Sequence, residues 1–359
     1  MAGNFKRLFN FLVLFSFVSV ACFVLVLFYS RRSFVVIVSE KHILTLGNKT
    51  FSGMVKEQVA KLLERRIKAS NKSSEMAPTP SAVSLTLGPC PENPPDLIGP
   101  LLVEFDFGRT WEHVRKEVSP LLQKGGRFKP KDCVAKQKVA IIIPFRNRHE
   151  HLKHWLYYLH PILKRQLVDY GVYVINQDGE GVFNRAKLMN AGYVEALKEY
   201  DYDCFLFSDV DLVPLNDRNL YRCFDNPRHL AIGMDKFNFD LPYKTFFGGV
   251  ASLYKHQYLK INGFPNTYWG WGGEDDDIYK RIVLRGMQVS RPDLLTGRYR
   301  MIKHQRDAHN DPNPKNPDKL FQTHWTMNAD GINSLKYTVK NIEKDILYTF
   351  ITVDIGSPE

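Results

Sequence analysis

Ser208-Asp209-Val210-Asp211 places two carboxylates one residue apart at the end of an apolar run, Cys204-Phe205-Leu206-Phe207. A run of that length and composition reads as a buried strand. Both acids then stand at a strand's carboxyl end, the edge where open α/β sheets bind ligands. Two aspartates so placed can offer hard oxygen ligands to a divalent cation, and such a cation can hold a diphosphate. An isolated Asp-x-Asp also describes two solvated acids in a loop, so the rest of the chain must supply the context. A second stretch, Tyr268-Trp269-Gly270-Trp271-Gly272-Gly273-Glu274-Asp275-Asp276-Asp277, alternates aromatics with glycines and then gives four acids. Flat aromatic faces stack on the C–H faces of sugars, and carboxylates accept hydroxyl hydrogen bonds or take a proton. Acids in the first turn of a helix also complement its dipole. Four exceed what capping needs, and the stretch reads as a general acid or base in an aromatic cleft.

Other groups gather near the same edge. Arg146 and Arg148 in Pro144-Phe145-Arg146-Asn147-Arg148, and Arg185 after Phe183-Asn184, offer guanidiniums for bidentate phosphate binding and a ring to cover a base. Surface arginines in loops are the alternative. Neither a G-x-G-x-x-G after the first strand nor a G-x-x-x-x-G-K-[ST] occurs, which argues against a dinucleotide or a P-loop nucleotide. Phe246-Phe247-Gly248-Gly249 marks a close backbone approach or a bulge. His304 precedes a polar, proline-bearing run from Gln305 to Lys319 that reads as a mobile lid.

The elements that must position these groups alternate. Val139 to Ile143 is a strand and His151 to Gln166 a helix with Trp155, Leu156, Leu159 and Leu163 on one face. Val172 to Ile175 is a strand, Asn184 to Tyr200 a helix and Cys204 to Phe207 a strand. That order predicts right-handed crossovers and a parallel, nucleotide-binding type of sheet. Leu230 to Met234 is a further strand candidate, and Ile278 to Arg285 continues as a helix.

The chain has 359 residues, 44% of them hydrophobic, and a formal net charge of +11. Its Lys and Arg are scattered among acids rather than gathered in a stripe with interleaved aromatics, which argues against nucleic acid and suits a phosphate-bearing small molecule. Leu8 to Tyr29 carries no charge and is long enough to span a bilayer, at about 1.5 Å per residue. It reads as a retained anchor rather than a cleaved signal peptide, since the apolar run is long and no clear small-x-small site follows. Sequons at Asn48 and Asn71 imply that the side after the anchor is lumenal. The expected layout is a cytoplasmic tail over 1–7, an anchor over 8–29, a lumenal stem over 30–87 and a globular domain over 88–359. Cys90, Cys133, Cys204 and Cys223 lie beyond the anchor, and an even count suits an oxidising compartment. Pairing Cys90 with Cys133 and Cys204 with Cys223 brackets two short local segments; four free buried thiols are the alternative.

Six segments in order, PFRNR at Pro144 to Arg148, FNRAKL at Phe183 to Leu188, SDVD at Ser208 to Asp211, NGFPN at Asn262 to Asn266, WGWGGEDDD at Trp269 to Asp277 and MIKH at Met301 to His304, resemble the animal β-1,4-galactosyltransferase family. The likeness runs from about Cys90 to the C-terminus. It implies an α/β, Rossmann-like nucleotide-sugar glycosyltransferase fold of GT-A type, in a type II protein of the Golgi membrane with a lumenal catalytic domain. The implied reaction is inverting transfer of galactose from UDP-galactose to the 4-hydroxyl of terminal N-acetylglucosamine on glycoconjugates. By the same resemblance Asp211, Met301 and His304 ligate Mn²⁺. UDP-galactose lies on Pro144, Phe145, Arg146, Asn147, Arg148, Phe183, Asn184, Arg185, Asp209, Val210, Asp211, Lys236, Phe246, Trp271 and His304. The acceptor meets Tyr243, Gly273, Glu274, Asp275, Asp276 and Asn316, with Asp275 as the base. Ile302 to about Gln322 resembles the family's closing loop, and a modifier protein or a homodimer belongs to the same set of expectations. Phe246 stands where the family usually has a tyrosine that helps exclude N-acetylated donors, and Asn316-Pro317 where it has Arg-Phe at the acceptor's acetamido pocket. N-acetylgalactosamine transfer and a non-catalytic sugar-binding or adhesion protein are the competing readings.

Overall fold

The computed structural model describes residues 87–305 and 307–358. The tail, the anchor, the sequons at Asn48 and Asn71, and the stem up to residue 86 lie outside the described residues. The chain divides into two units, Met1–Val83 and Ser84–Glu359, and only the second is described here. Among the described residues no helix is long and apolar enough to cross a membrane.

Helix α1 (Trp111–Val118) starts at Thr110, whose hydroxyl accepts the His113 N–H. Then come β1 (Lys138–Phe145), α2 (His149–Arg165), β2 (Asp169–Gln177), α3 (Arg185–Glu199) and β3 (Cys204–Ser208). The predicted alternation is present, with strands and α2 extending beyond their apolar runs because polar end residues continue the backbone pairing. β1 pairs in parallel with both β2 and β3. Its side chains alternate between two cores: Val139, Ile141 and Ile143 face α1 and α2, while Ala140 and Ile142 face α3. A strand covered by helices on both faces has no polar side, which is why β1 reads as an unbroken apolar run. On α2, Trp155, Leu156, Leu159 and Leu163 are all fully buried.

After β3 come the short β4 (Leu212–Pro214), β5 (Arg228–His229), β6 (Gly233–Met234), β7 (Val250–Tyr254), α4 (Lys255–Lys260), α5 (Glu274–Leu284), β8 (Arg298–Met301), α6 (Asn316–Thr326), β9 (Thr338–Lys344) and β10 (Thr349–Asp354). The main sheet has the order β5-β7-β3-β1-β2-β10-β9, and a three-stranded sheet has the order β4-β8-β6. Three expectations are corrected. The main sheet is mixed: β10 is parallel to β2, but β7 and β9 run antiparallel to their neighbours. The single strand expected at Leu230 to Met234 is split, because the chain crosses from the large sheet (β5) to the small one (β6), with the Leu230 and Ala231 N–H groups both donating to the Val250 carbonyl. The α5 helix starts at Glu274, so that the four acids form its first turn. The end of the expected lid is helical, with Pro317 in the first turn of α6, where a missing N–H costs nothing. The disulfides are Cys90–Cys133 and Cys204–Cys223, as the spacing suggested.

Candidate active site

Asp209 and Asp211 emerge at the carboxyl end of β3, between the two sheets. The Asp209 N–H donates to the Gly249 carbonyl at 2.9 Å, so the turn after β3 is laced to the start of β7. β8 pairs antiparallel with β4 and sets Met301 opposite Leu212, and the Ile302 N–H donates to the Asp211 carbonyl at 2.8 Å. Asp235 fixes the same strand end by accepting the Met301 N–H at 3.0 Å. One step further on, His304 Nε2 lies 3.0 Å from Asp211 Oδ2. That hydrogen bond raises the pKa of His304 above the usual imidazole range. The His151 ring stands 5.1 Å from that of His304, and burial, then the Arg148 charge, push it down to about 4. The small sheet thus carries the three expected metal ligands to one edge. Carboxylate oxygen and imidazole nitrogen suit a divalent ion such as Mn²⁺, the thioether is softer than that ion prefers, and the Asp211–His304 contact is one a cation can replace. Among the described residues no group of three or more His, Cys, Asp or Glu side chains is gathered for a metal, since the third member here is a methionine.

Arg185, the first residue of α3, bridges the two acidic stretches. Its Nε donates to Asp209 Oδ1 at 2.7 Å and its Nη1 to Glu274 Oε1 at 3.3 Å. Burial opposes its charge, yet Asp209 and Glu274 hold it above the ordinary guanidinium range. Burial and the neighbouring Asp275 push Glu274 up to about 8, and its buried Oε2 finds no hydrogen-bond partner. Burial likewise raises Asp209 and Asp276.

The acids after Gly273 divide by role. Gly273 adopts φ +95°, the left-handed geometry that turns the chain into α5, and a Cβ there would meet the Tyr268 ring at 2.9 Å. Asp275 lies against Gly248, where an added Cβ would sit 2.2 Å from its Oδ2. Asp276 accepts the Tyr243 hydroxyl at 2.8 Å. Asp277 is buried and structural, accepting from Arg281 Nε at 2.5 Å, from Tyr268 at 2.9 Å and from Thr323 at 2.7 Å. The four-acid run is therefore three residues at the cleft and one core ion pair.

The other predicted residues make the following contacts in the structure. Arg146 is buried, donating to the Gly181 and Ala308 carbonyls at 2.5 and 2.9 Å, with its guanidinium 4.9 Å from the Phe183 ring. Arg148 pairs with Asp307 and donates to the Gln305 carbonyl. Among the described residues neither forms an ion pair with Asp209 or Asp211. Both instead hold the segment after His304 across the sheet edge, where Phe183 N–H donates to the His309 carbonyl and Trp271 N–H to that of Asp311. Asn147, at φ +53°, makes the turn between Arg146 and Arg148. Pro144 and Phe145 end β1, the Phe145 ring edge-on to His149 and Phe350. Asn184 caps α3 and donates to the Asn266 carbonyl, so two of the ordered motifs meet. Val210 is buried and Lys236 exposed, its Nζ 5.0 Å from the Phe237 ring. Phe246 is edge-on to Tyr243 and His229. Asn316 Nδ2 donates to the Gly272 carbonyl at 2.6 Å, tying α6 to the glycine-rich turn. Sequence reasoning missed His151, His229 and Arg291, which carry no periodic or motif signal.

Known proteins resemble this chain in sequence and in fold. The chain matches the N-terminal region of glycosyl transferase group 7 over residues 90–224 and the N-terminal domain of galactosyltransferase over 228–305. It is 59% identical to human β-1,4-galactosyltransferase 1 over 290 residues, 81% of this chain and 72% of that protein. To human β-1,4-galactosyltransferase 2 it is 61% identical over 268 residues, 74% and 72% of the two chains. The catalytic domain of Drosophila β1,4-galactosyltransferase 7 in complex with xylobiose aligns with a TM-score of 0.54 at 28% identity, over 61% of this chain and 94% of that one. A mutant of that enzyme in complex with manganese, UDP-Gal and xylobiose aligns equally well, at 30% identity. On this extent of likeness the chain belongs to the animal β-1,4-galactosyltransferase family, whose members are UDP-galactose hexosyltransferases.

Proposed function

We propose that this enzyme moves galactose from UDP-galactose to the 4-hydroxyl of a terminal N-acetylglucosamine, with inversion and with Mn²⁺, on a GT-A type fold held in the Golgi lumen by the N-terminal anchor. The observation that carries the reading is Arg185, which ties the strand-end Asp209 to Glu274 and so brings Asp275 to the edge where Asp211, Met301 and His304 stand. The Drosophila complex, with manganese, a nucleotide sugar and a sugar acceptor on a similar fold, supports the same assignment of partners.

Asp211, Met301 and His304 would hold the ion, which supplies charge neutralisation to the departing diphosphate. Asp275 is the base. It takes the acceptor hydroxyl proton as that oxygen bonds to the anomeric carbon and the bond to the diphosphate oxygen breaks. Glu274 beside it is held by Arg185, and burial keeps its carboxyl largely protonated near neutral pH, so the carboxylate left to take a proton is Asp275. Gly248 leaves Asp275 room, and Tyr243 fixes Asp276 at the acceptor side. The segment bound by Arg146 and Arg148 covers the edge and excludes water.

The test is UDP release by the full chain supplied with UDP-galactose, Mn²⁺ and N-acetylglucosamine. Asp275→Asn is expected to lower kcat by about 10²–10⁴-fold. An unchanged rate removes Asp275 as the base. Running UDP-N-acetylgalactosamine in parallel separates the two donor readings.

A further inference from the structure

The loop between Asp240 and Val250 carries three groups that face the proposed reaction: Tyr243 on Asp276, Phe246, and Gly248 under Asp275. What fixes that loop lies behind it. His229, on β5, is fully buried, and its Nε2 donates to the Gly248 carbonyl at 2.8 Å. Its other nitrogen faces Arg291 Nε at 3.5 Å, which makes Nδ1 the acceptor and assigns the proton to Nε2. Arg291 in turn donates through Nη2 to the Lys244 and Phe246 carbonyls at 2.9 and 3.0 Å. The His229 ring also packs edge-on against Phe246, with centroids 5.4 Å apart. Two side chains from outside the loop thus hold three of its carbonyls and one of its rings.

We infer that His229 and Arg291 form a positioning unit that fixes the loop at the cleft and thereby sets how large a C2 substituent the donor sugar can carry. The inference rests on the reaction proposed above. Phe246 lacks the hydroxyl through which a tyrosine could be tied in place, so its position depends on packing and on the backbone carbonyls. A clamp behind it substitutes for that missing tether. Neither His229 nor Arg291 touches the substrate in this account; both act through Gly248 and Phe246. Removing the clamp frees the wall to yield to a large C2 group, at a cost to a small one that relied on close fit.

Full-chain His229→Ala, His229→Gln and Arg291→Met answer the question through two readouts. The first is the ratio of kcat/KM for UDP-N-acetylgalactosamine to that for UDP-galactose. It is expected to rise about tenfold in His229→Ala and in Arg291→Met, and to stay within about twofold of wild type in His229→Gln, whose amide can still donate to the Gly248 carbonyl. The second is hydrogen exchange of the 243–249 segment, faster in the first two variants and unchanged in the third. A fall in Tm with both ratio and exchange unmoved shows a merely structural pair and overturns the inference, as does a His229→Gln enzyme as altered as His229→Ala. Should His229→Ala not fold, Arg291→Met decides alone. If the wild type turns over neither donor, the proposed function fails, while exchange still scores the clamp.

Discussion

Gly248 shows how little room separates the groups at the reacting edge. A Cβ at this position would stand 2.2 Å from Asp275 Oδ2 and 2.9 Å from the tip of Phe246, so Gly248→Ala must move the base or the donor wall. A shift of about 1 Å at such a site costs on the order of 10²-fold in rate. Gly248→Ala is therefore expected to lower kcat by about that factor in steady-state assays while leaving Tm nearly unchanged. Arg185 is the other residue on which the edge depends, since among the described residues it alone pairs with both Asp209 and Glu274. Arg185→Met leaves buried Glu274 and half-buried Asp209 without their cation. The expected loss is about 3–5 kcal/mol of folding stability, read by denaturant titration, together with the loss of turnover.

At the scale of elements, α5 and α6 form one unit held by a polar core rather than an apolar one. Arg281 is fully buried, and besides Asp277 it reaches the Asp330 carbonyl at 2.7 Å. Thr323 on α6 closes the network on Asp277, and Lys280 Nζ donates to the Leu320 carbonyl. Because α5 begins with the three cleft acids, this network fixes the cleft's back wall. Arg281→Met removes one partner of a buried pair and is expected to cost about 3–5 kcal/mol. Thr323→Val, which removes a single hydrogen bond to a charged acceptor, should cost about 1.5–3 kcal/mol. A thermal or denaturant series over the two variants checks that order.

Over the whole molecule, buried neutral histidines make the fold sensitive to acid. His160 lies between the Tyr170 hydroxyl and the Leu347 carbonyl, and His229 against the Gly248 carbonyl; burial pushes both down to about 3. The unfolded chain then binds more protons than the native one below about pH 6.5, so stability is full above that value and falls as pH drops toward 3. By pH 5 each histidine should cost about 2 kcal/mol. Unfolding free energies at pH 7 and pH 5 test this, and His160→Gln should remove its share of the difference.

Much of this was legible because it is written locally. Strand and helix periods placed β1 to β3 with α2 and α3 between them, and the Cys204–Cys223 spacing proposed its own bridge. The carboxyl end of β3 put Asp209 and Asp211 at a ligand-binding edge before any fold was known. What the chain by itself could not decide is which partner each charged residue takes. Arg146 and Arg148 read as phosphate forks, and the chain alone did not show that they also hold the segment after His304; Asp277 reads as one of four functional acids and is the core partner of Arg281; His229 carried no signal at all. Hydrophobic period and turn chemistry are properties of neighbouring residues, whereas the pairing of Arg185 with Glu274 spans 89 positions and that of His304 with Asp211 spans 93. The closing of the small sheet β4-β8-β6 beside the end of β3 brings His304 to Asp211, and the placement of the start of α5 beside the start of α3 brings Glu274 to Arg185; neither leaves a periodic trace in the chain.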